Sequence, residues 1–434
     1  MPAVIRSIPA LVLVGLLSCA VLPGRATGVE SGAVRFADPA AEIQALVDLM
    51  ERRLALMPEV AAWKHARGQP VTDAAREREV LDVWEHSAAA LGIERAAARA
   101  FMDVQISAAR EVQERLRAEW AAGRALPPPA RDLNGVIRPE LDRIGAQMLA
   151  AVNDVAANGE VFGDPTKAAG ILRGLRSRIW ISDEVAARGS GALSALRRTG
   201  TADIEALRRT ATVRVGLTGD YAPFSEERDG RLRGVDVDLA REFGAQLGVR
   251  VVFVRTTWAR LMADLAAGRF DFAAGGISVT PERSQGADFG PEYFRDGKTP
   301  IARCAERERF VTLEAIDQPG VRVIVNPGGT NERFARENLR RAEIRVFPDN
   351  RTIFGEILAG RADVMITDGI EVRLQAARNQ GLCGTRPEPF TRFGKAWLFP
   401  RGAALVGETE RWLAPRVAAG EVARRIDAAI ADGR

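Results

Sequence analysis

The residue types in this chain limit the chemistry that it can carry out. Its 434 residues include two histidines, His65 and His86, and three cysteines. A zinc site or a Ser-His-Asp triad would have almost no material, and we expect no metal and no cofactor. Any acid–base chemistry must use carboxylates, lysines, arginines or amides.

The first half of the chain carries charged residues at helical spacing. Arg53 and Lys64 are eleven residues apart, so one helix would project both from the same face, about 16 Å apart along its axis. Asp73, Arg76 and Glu77 follow at positions i, i+3 and i+4, which again is one face. Each alone is typical of a solvated helix surface, whereas the group could attract a small anion.

Two further polar residues extend this group. Gln113 lies on a later helix, and Arg138 opens the helix after a proline-rich loop at 125–129. The net charge of +4 and the pI near 9.3 agree with either solubility or attraction of anionic substrates. Nucleic acid is not an expected partner, because no compact basic run with interleaved aromatic residues is present.

Two regions with different patterns of apolar residues must position these side chains. The length of the chain predicts two or three domains. Apolar residues at three- and four-residue spacing predict an all-helical domain over residues 38–198, which starts at Asp38 and Pro39. From Thr212 short β-branched runs alternate with helical segments, which predicts an α/β domain with mostly parallel sheets over residues 205–434.

The N-terminus has the features of an export signal. Arg6 is followed by an apolar stretch at 8–22 that is short for a membrane span. We predict a signal peptide over residues 1–26, cleaved after Ala20 or Ala26, and a periplasmic location with no membrane span.

The three cysteines also bear on where the protein is located. The residues before Cys19 resemble a lipoprotein box, so a lipid anchor at Cys19 is the alternative to a soluble mature form. Export would place Cys304 and Cys383 in an oxidising compartment. They would then form a disulfide, or else remain two buried free thiols.

The charged residues of the helical region resemble those of the AroQ chorismate mutases, in particular the secreted gamma type. The pattern is Arg-x10-Lys, then Asp-x-x-Arg-Glu, then a Gln on a later helix, and the similarity covers about residues 38–195. The resemblance implies the rearrangement of chorismate to prephenate, which needs a dianion held in a compact chair. Cations and amides fixed in a dry pocket would stabilise the charge that grows on the ether oxygen.

The resemblance also implies roles for the cations. Arg53 and Arg138 would hold the substrate carboxylates, with help from Arg76. Two positions where relatives often have a hydroxyl or an amide are apolar here, Ala109 and Val80. The finer geometry of the pocket should therefore differ from that of the relatives.

The remaining residues of the pattern would act at the reacting centre. Lys64 and Gln113 would face the ether oxygen of chorismate. Glu77 would bind the ring hydroxyl, and Asp73 would orient Lys64.

The second region resembles the type II solute-binding proteins for amino acids. The similarity rests on four stretches, VGLTGDYAPF at 215–224, GVDVDL at 234–239, GGISVTPER at 275–283 and ADVM at 362–365. In that family a small acid binds in a cleft between two lobes. The resemblance implies lobe 1 at about 205–303 plus 397–434, and lobe 2 at about 304–396.

A closer similarity is to cyclohexadienyl dehydratase, an enzyme built on this scaffold. It rests on FRDGKTP at 294–300, NPGGTNE at 326–332 and TDGIE at 367–371, and it includes both later cysteines. The similarity implies that prephenate loses carbon dioxide and its ring hydroxyl together and becomes phenylpyruvate. The hydroxyl is a poor leaving group, so a carboxylic acid that stays neutral near pH 7 is needed.

Glu371 is the candidate for that acid, because burial in a closed cleft would raise its pKa. In the alternative, Glu371 only binds a ligand amine, as acidic residues nearby do in binding proteins. Trp258 and Tyr221 would flank the ring, and Asp220 and Asp368 are further candidates. The residues that would hold the carboxylates are Arg283 with Ser278 and Thr280, Lys298, Asn326 and Thr330.

The product of the first reaction is the substrate of the second, which favours a bifunctional exported enzyme of phenylalanine biosynthesis. The expected partners are therefore small molecules, namely chorismate and prephenate, with arogenate as an alternative substrate of the second reaction. We also expect a homo-oligomer. One alternative is an amino-acid-binding protein with a helical appendage. Another is an active mutase fused to a phenylalanine sensor.

Overall fold

The structure is a computed structural model that describes residues 34–157, 170 and 181–432. Long helices around an apolar core make up its first part. The predicted signal peptide and Cys19 lie outside the described residues. The helices are α1 Pro39–Ala55, α2 Met57–Ala66, α3 Ala74–Ala90, α4 Arg95–Ala121, α5 Arg138–Ala157, α6 Asp183–Ala195 and α7 Ile204–Thr210, with a π-helical turn at Leu133–Ile137. The start of α1 is confirmed, because the Asp38 carboxylate accepts a hydrogen bond from the Ala40 N–H.

The prediction of one helix for Arg53 and Lys64 is wrong. α1 ends at Ala55 and α2 begins at Met57. Pro58 lies in the first turn of α2 and has no N–H to continue the hydrogen bonds of α1. The chain therefore breaks between the two residues, although both side chains still line the same cavity.

Two five-stranded sheets form the second part, each the core of one lobe. The strands are β1 Thr212–Leu217, β2 Asp220–Tyr221, β3 Ser225–Arg228, β4 Arg231–Arg233, β5 Arg250–Arg255, β6 Phe272–Ala273, β7 Ala287–Phe289, β8 Phe294–Asp296, β9 Lys298–Arg303, β10 Arg322–Val325, β11 Glu343–Val346, β12 Val364–Asp368, β13 Leu382–Gly384, β14 Phe393–Lys395 and β15 Leu398–Pro400. The strand orders are β5-β1-β6-β15-β7 in lobe 1 and β11-β10-β12-β9-β13 in lobe 2.

Helices cover both sheets, and the strands that carry the site end at the cleft between the lobes. The helices are α8 Val235–Leu247, α9 Leu261–Ala266, α10 Pro281–Gly286, α11 Leu313–Ile316, α12 Thr330–Asn338, α13 Ile353–Leu358, α14 Gly369–Arg378, α15 Leu405–Ala418 and α16 Glu421–Asp432, with a 3₁₀ turn at Cys304–Arg309. Within the described residues, none of the helices is long and apolar enough to cross a membrane.

The structure corrects two details of the predicted lobes. The sheets are mixed rather than mostly parallel, because the strands β9 and β15, each the first to enter its lobe after a crossing, run antiparallel to their neighbours. The crossing lies earlier than residue 303, since β8 and β14 pair as a two-stranded connection and β9 already belongs to the second sheet. Lys298, the first residue of β9, is therefore part of lobe 2.

The helical part and lobe 1 pack against each other as one compact unit. Arg214 of β1 is fully buried, and its guanidinium donates to Glu42 of α1 at 2.9 Å and to Asp154 of α5 at 2.8 Å. Arg198, also buried, donates to Asp271 at 2.6 Å. Breaking a buried ion pair by removal of one partner typically costs about 3–5 kcal/mol. These pairs hold the two parts in one relative position.

The chain also contacts lobe 1 before it enters the helical part. Phe36 pairs with Phe253 in a parallel bridge at the β5 edge, and the Ala37 N–H donates to the Phe253 carbonyl at 2.7 Å. The Arg255 guanidinium lies 4.0 Å from the centre of the Phe36 ring. The helical part therefore meets lobe 1 both at residues 34–37 and where the chain continues into β1.

A disulfide joins Cys304, which follows β9, to Cys383 in β13, with the Cα atoms 4.8 Å apart. It closes a loop with a sequence separation of 79, which in the chain-entropy model contributes about 4 kcal/mol. We expect peptide mapping without reduction to recover the linked pair, and reduction to lower the melting temperature. Two free thiols in protein purified from an oxidising compartment would contradict this expectation.

Candidate active sites

A cavity of about 450 Å³ lies within the helical part. All seven residues predicted from the charge pattern line it, namely Arg53, Lys64, Asp73, Arg76, Glu77, Gln113 and Arg138. Apolar side chains form the rest of its wall, among them Met57, Val60 and Ile106. The cavity combines several cations with an apolar lining, which suits a small organic anion.

Arg53 and Lys64 are the cations at the base of this cavity. The Arg53 guanidinium donates to the Gln105 carbonyl at 2.9 Å, and burial lowers its pKa to about 10, so it stays charged at neutral pH. The Lys64 side chain is only 8% exposed and donates to the Val71 carbonyl at 2.5 Å. Burial also lowers the pKa of Lys64. Both groups keep further N–H donors for a ligand.

Asp73 has other partners than the predicted one. Its carboxylate caps α3 by accepting from the Arg76 N–H at 3.2 Å, and it accepts from the Arg138 guanidinium at 3.1 Å. No hydrogen bond joins it to Lys64 among the described contacts, so its role in orienting Lys64 stays a prediction. Asp73 acts on Lys64 through its charge, which opposes the fall in the Lys64 pKa.

Two more charged residues of the cavity are held by ion pairs. Arg76 donates to Glu79 and to Asp142, both at 2.8 Å. Glu77 accepts two hydrogen bonds from Arg110, at 3.0 and 2.5 Å. Sequence reasoning missed Arg110, although it precedes Gln113 by three residues and therefore shares its helix face.

Gln113 is buried and offers an amide to the cavity. Its Nε2 donates to the Ala109 carbonyl at 3.0 Å, whereas its Oε1 has no hydrogen-bond partner. The two ends of an amide can exchange by rotation, so the group can present a donor to a ligand oxygen. Ala109 and Val80 line the cavity as apolar residues, as the sequence indicated.

A second and much narrower site lies between the two lobes. Eight of the predicted residues line it, namely Tyr221, Trp258, Ser278, Arg283, Asn326, Thr330, Asp368 and Glu371. The remaining space is about 20 Å³, little more than a water molecule occupies. The lobes are thus closed around the site, and a larger ligand needs them to open.

Three other predicted residues lie behind this lining. The Lys298 ammonium donates to Thr330 at 2.8 Å, Asp220 accepts from the Trp258 indole at 3.1 Å, and Thr280 caps α10. Lys298 reaches the lining through its partners, while Asp220 and Thr280 support neighbouring residues.

Asp368 is held as an anion by two lysines. Its carboxylate accepts from Lys298 at 2.6 Å, from Lys395 at 2.5 Å and from the Tyr221 hydroxyl at 2.6 Å. Burial alone would raise the pKa of Asp368, but the two ammonium groups bring it well below its usual range. Asp368 therefore cannot donate a proton near neutral pH.

Glu371 is in the opposite electrostatic situation. It lies in the first turn of α14, is 3% exposed and accepts a short hydrogen bond from the Thr367 hydroxyl. Burial raises the pKa of Glu371 to about 8, against the effect of the Thr367 hydrogen bond. At pH 7 this side chain is a neutral carboxylic acid, which is the protonation state that a general acid requires.

Arg283 supplies a buried cation from lobe 1. Its Nη1 donates to the Ser278 carbonyl at 2.9 Å, and burial lowers its pKa to about 10. The rest of the guanidinium can bind a carboxylate with two parallel hydrogen bonds. The cleft thus combines a cation, a neutral acid and two aromatic walls.

Sequence reasoning missed three residues of the cleft, Asn331, Asn350 and Lys395. Lys395 had a usable signal, because only four of the 61 basic residues are lysines. Lys64 lines the first cavity, Lys298 and Lys395 both contact Asp368, and Lys167 lies outside the described residues. In so arginine-rich a chain, a retained lysine indicates a place where a compact charge is needed.

Two family models match this chain. The model of the family "Chorismate mutase type II" matches residues 44–114. The model of the family "Bacterial extracellular solute-binding proteins, family 3" matches residues 213–428. The first match covers α1 to α4, which carry most of the cavity lining. The second covers nearly all of the two lobes.

Individual relatives match the two lobes. The cyclohexadienyl dehydratase of Pseudomonas aeruginosa PAO1 is 52% identical over 203 residues, which are 46% of this chain and 76% of the relative. The L-cystine-binding protein TcyJ of Escherichia coli K12 is 27% identical, over 42% of this chain and 68% of that protein. A solved structure of an ancestral amino acid-binding protein, described as a precursor of cyclohexadienyl dehydratase, is 31% identical and covers 52% of this chain and 99% of its own, with a TM-score of 0.49. By its two lobes this chain belongs to the family of the cyclohexadienyl dehydratases, and a chorismate mutase type II segment precedes them.

Proposed function

We propose that this chain catalyses two consecutive reactions, chorismate to prephenate in the helical cavity and prephenate to phenylpyruvate in the cleft. The observation that carries the proposal is the pairing of the two sites. One is a cavity with several cations, and the other holds a buried neutral acid, Glu371, beside a buried cation, Arg283.

The first reaction needs no proton transfer, only a preorganised field. Arg53 and Arg138 hold the two substrate carboxylates so that the flexible side chain of chorismate lies over its ring. Lys64 and Gln113 donate to the ether oxygen, where negative charge grows as the C–O bond breaks. Such donors are effective because they are already oriented in a site with an apolar wall.

The second reaction needs one proton at one oxygen. Glu371 protonates the ring hydroxyl as its C–O bond breaks, while the bond between the ring and its carboxylate breaks and its electrons complete the aromatic ring. Water, carbon dioxide and phenylpyruvate leave, and Glu371 regains a proton from solvent. Arg283 binds a substrate carboxylate, and Lys298 fixes the Thr330 hydroxyl that lines the site. Closure of the lobes keeps the acid desolvated and neutral.

The paired state of Asp368 favours this reaction over binding of an amino acid. An amino-acid-binding site needs a carboxylate available for the ligand ammonium group. Here Lys298 and Lys395 already occupy Asp368, and Glu371 is neutral. A periplasmic location and a homo-oligomer belong to the same proposal. The pairing of Asp368 favours prephenate over arogenate, because the ammonium group of arogenate would also need a free carboxylate.

Both reactions are tested together by adding chorismate to the purified mature protein. We expect prephenate to appear transiently and phenylpyruvate to accumulate, and added prephenate to yield phenylpyruvate directly. Phenylalanine binding without prephenate turnover would instead favour a sensor, and no turnover of either compound would favour a binding protein.

A further inference from the structure

The helix that connects the helical part to lobe 1 contributes to the mutase cavity. Arg209 and Thr210, the last residues of α7, line the cavity although they lie beyond the predicted end of the helical domain at 198. We infer that Arg209 is a further substrate-binding residue, which adds a contact to one of the two substrate carboxylates at the mouth of the cavity. This inference rests on the proposed mutase function.

The partners of the other cations distinguish Arg209. Each of the others already has a protein acceptor, which is the Gln105 carbonyl for Arg53, the Val71 carbonyl for Lys64, Glu79 and Asp142 for Arg76, Glu77 for Arg110, and Asp73 and Asn134 for Arg138. In the part of the chain that the structure describes, Arg209 has no hydrogen bond and no ion pair. It is also exposed, so it lies on the solvent side of the cavity.

An unpaired guanidinium at this place suits a dianionic substrate. Binding a carboxylate there breaks no ion pair within the protein, and the planar group can make two parallel hydrogen bonds. The carboxylate of Asp142, which lines the same cavity, does not repel the bound anion, because Arg76 pairs with it at 2.8 Å. The helical part therefore obtains one of its substrate contacts from the segment that leads into the dehydratase.

Arg208 provides a matched control for Arg209. It is the preceding residue on the same helix, but it pairs with Glu205 at 2.7 Å and does not line the cavity. We expect Arg209→Ala in the full chain to raise the KM for chorismate about tenfold with kcat within about twofold, because the contact acts equally on the bound substrate and the transition state. Arg209→Glu should raise this KM further, and Arg208→Ala should leave it unchanged.

A retained kcat for chorismate reports that the helical part of each variant is folded. Prephenate turnover reports the same for the lobes, since no residue of α7 lines the cleft. An unchanged chorismate KM in a folded Arg209→Glu variant would overturn the inference while the mutase function stands. An equal rise for Arg208→Ala would also overturn it, because the effect would then be a general loss of positive charge. Absence of chorismate turnover by the wild-type protein would be a failure of the proposed function itself.

Discussion

Replacement of Glu371 by Gln should lower kcat for prephenate by about a hundred- to ten-thousand-fold. Glutamine keeps the size of the side chain and can still contact the Thr367 hydroxyl, but it has no proton to transfer to the leaving hydroxyl. Prephenate should still bind through Arg283 and its neighbours, so KM should change little. The assay compares initial rates of phenylpyruvate formation at neutral pH, with a control lacking enzyme because prephenate aromatises spontaneously in acid.

The pH dependence of prephenate turnover is a second test of Glu371 as the general acid. Since burial raises the pKa of Glu371 to about 8, the acid is protonated below that pH and lost above it. The wild-type kcat/KM for prephenate should be nearly flat from pH 6 to 7.5 and fall tenfold per unit well above pH 8. A Glu371→Gln variant that keeps kcat within about threefold would remove Glu371 as the acid, and chorismate turnover by that variant serves as its folding control.

Replacement of Lys64 or Arg53 by Ala should strongly lower chorismate turnover and leave prephenate turnover intact. Loss of one preorganised donor at a growing negative charge costs about a hundred- to a thousandfold in kcat. For Lys64 we expect the loss in kcat, because its ammonium would act on the ether oxygen, and for Arg53 a rise in KM as well. Separate assays with chorismate and with prephenate measure the two effects.

Arg52→Ala is the matched control, because Arg52 is the exposed neighbour of Arg53 on α1 and does not line the cavity. Its rates should equal those of the wild-type protein. If a folded Arg53→Ala variant lost both reactions, the model of two separate sites would be wrong.

Residues on one local element were predictable because helical periodicity determines their side. Asp38 and Pro39 start α1, and the residues of α3 that were placed on one face do line one cavity. The break at Leu56 is also local, and Pro58 is the signal for it that the prediction of one helix overlooked.

Ion pairs between different helices could not be predicted from helical periodicity. Arg110 and Glu77 are 33 residues apart, and Asp73 and Arg138 are 65 residues apart. Which cation meets which carboxylate depends on how the helices pack, and many arginines compete for each acid. The same limit applies to the lobe boundary, because the position of β9 is decided by its pairing with β12, more than sixty residues later.

The attachment of residues 34–37 to β5 also has a consequence in time. Phe36 leaves the ribosome well before Phe253, its partner in the bridge, about 200 residues later in the chain. Residues 34–37 can therefore dock only after β5 has been synthesised. This segment is thus made early but completed late, because its partner strand belongs to the second half of the chain. A shortened chain that stops before β5 would leave that segment without its partner and its apolar Phe36 exposed to proteolysis.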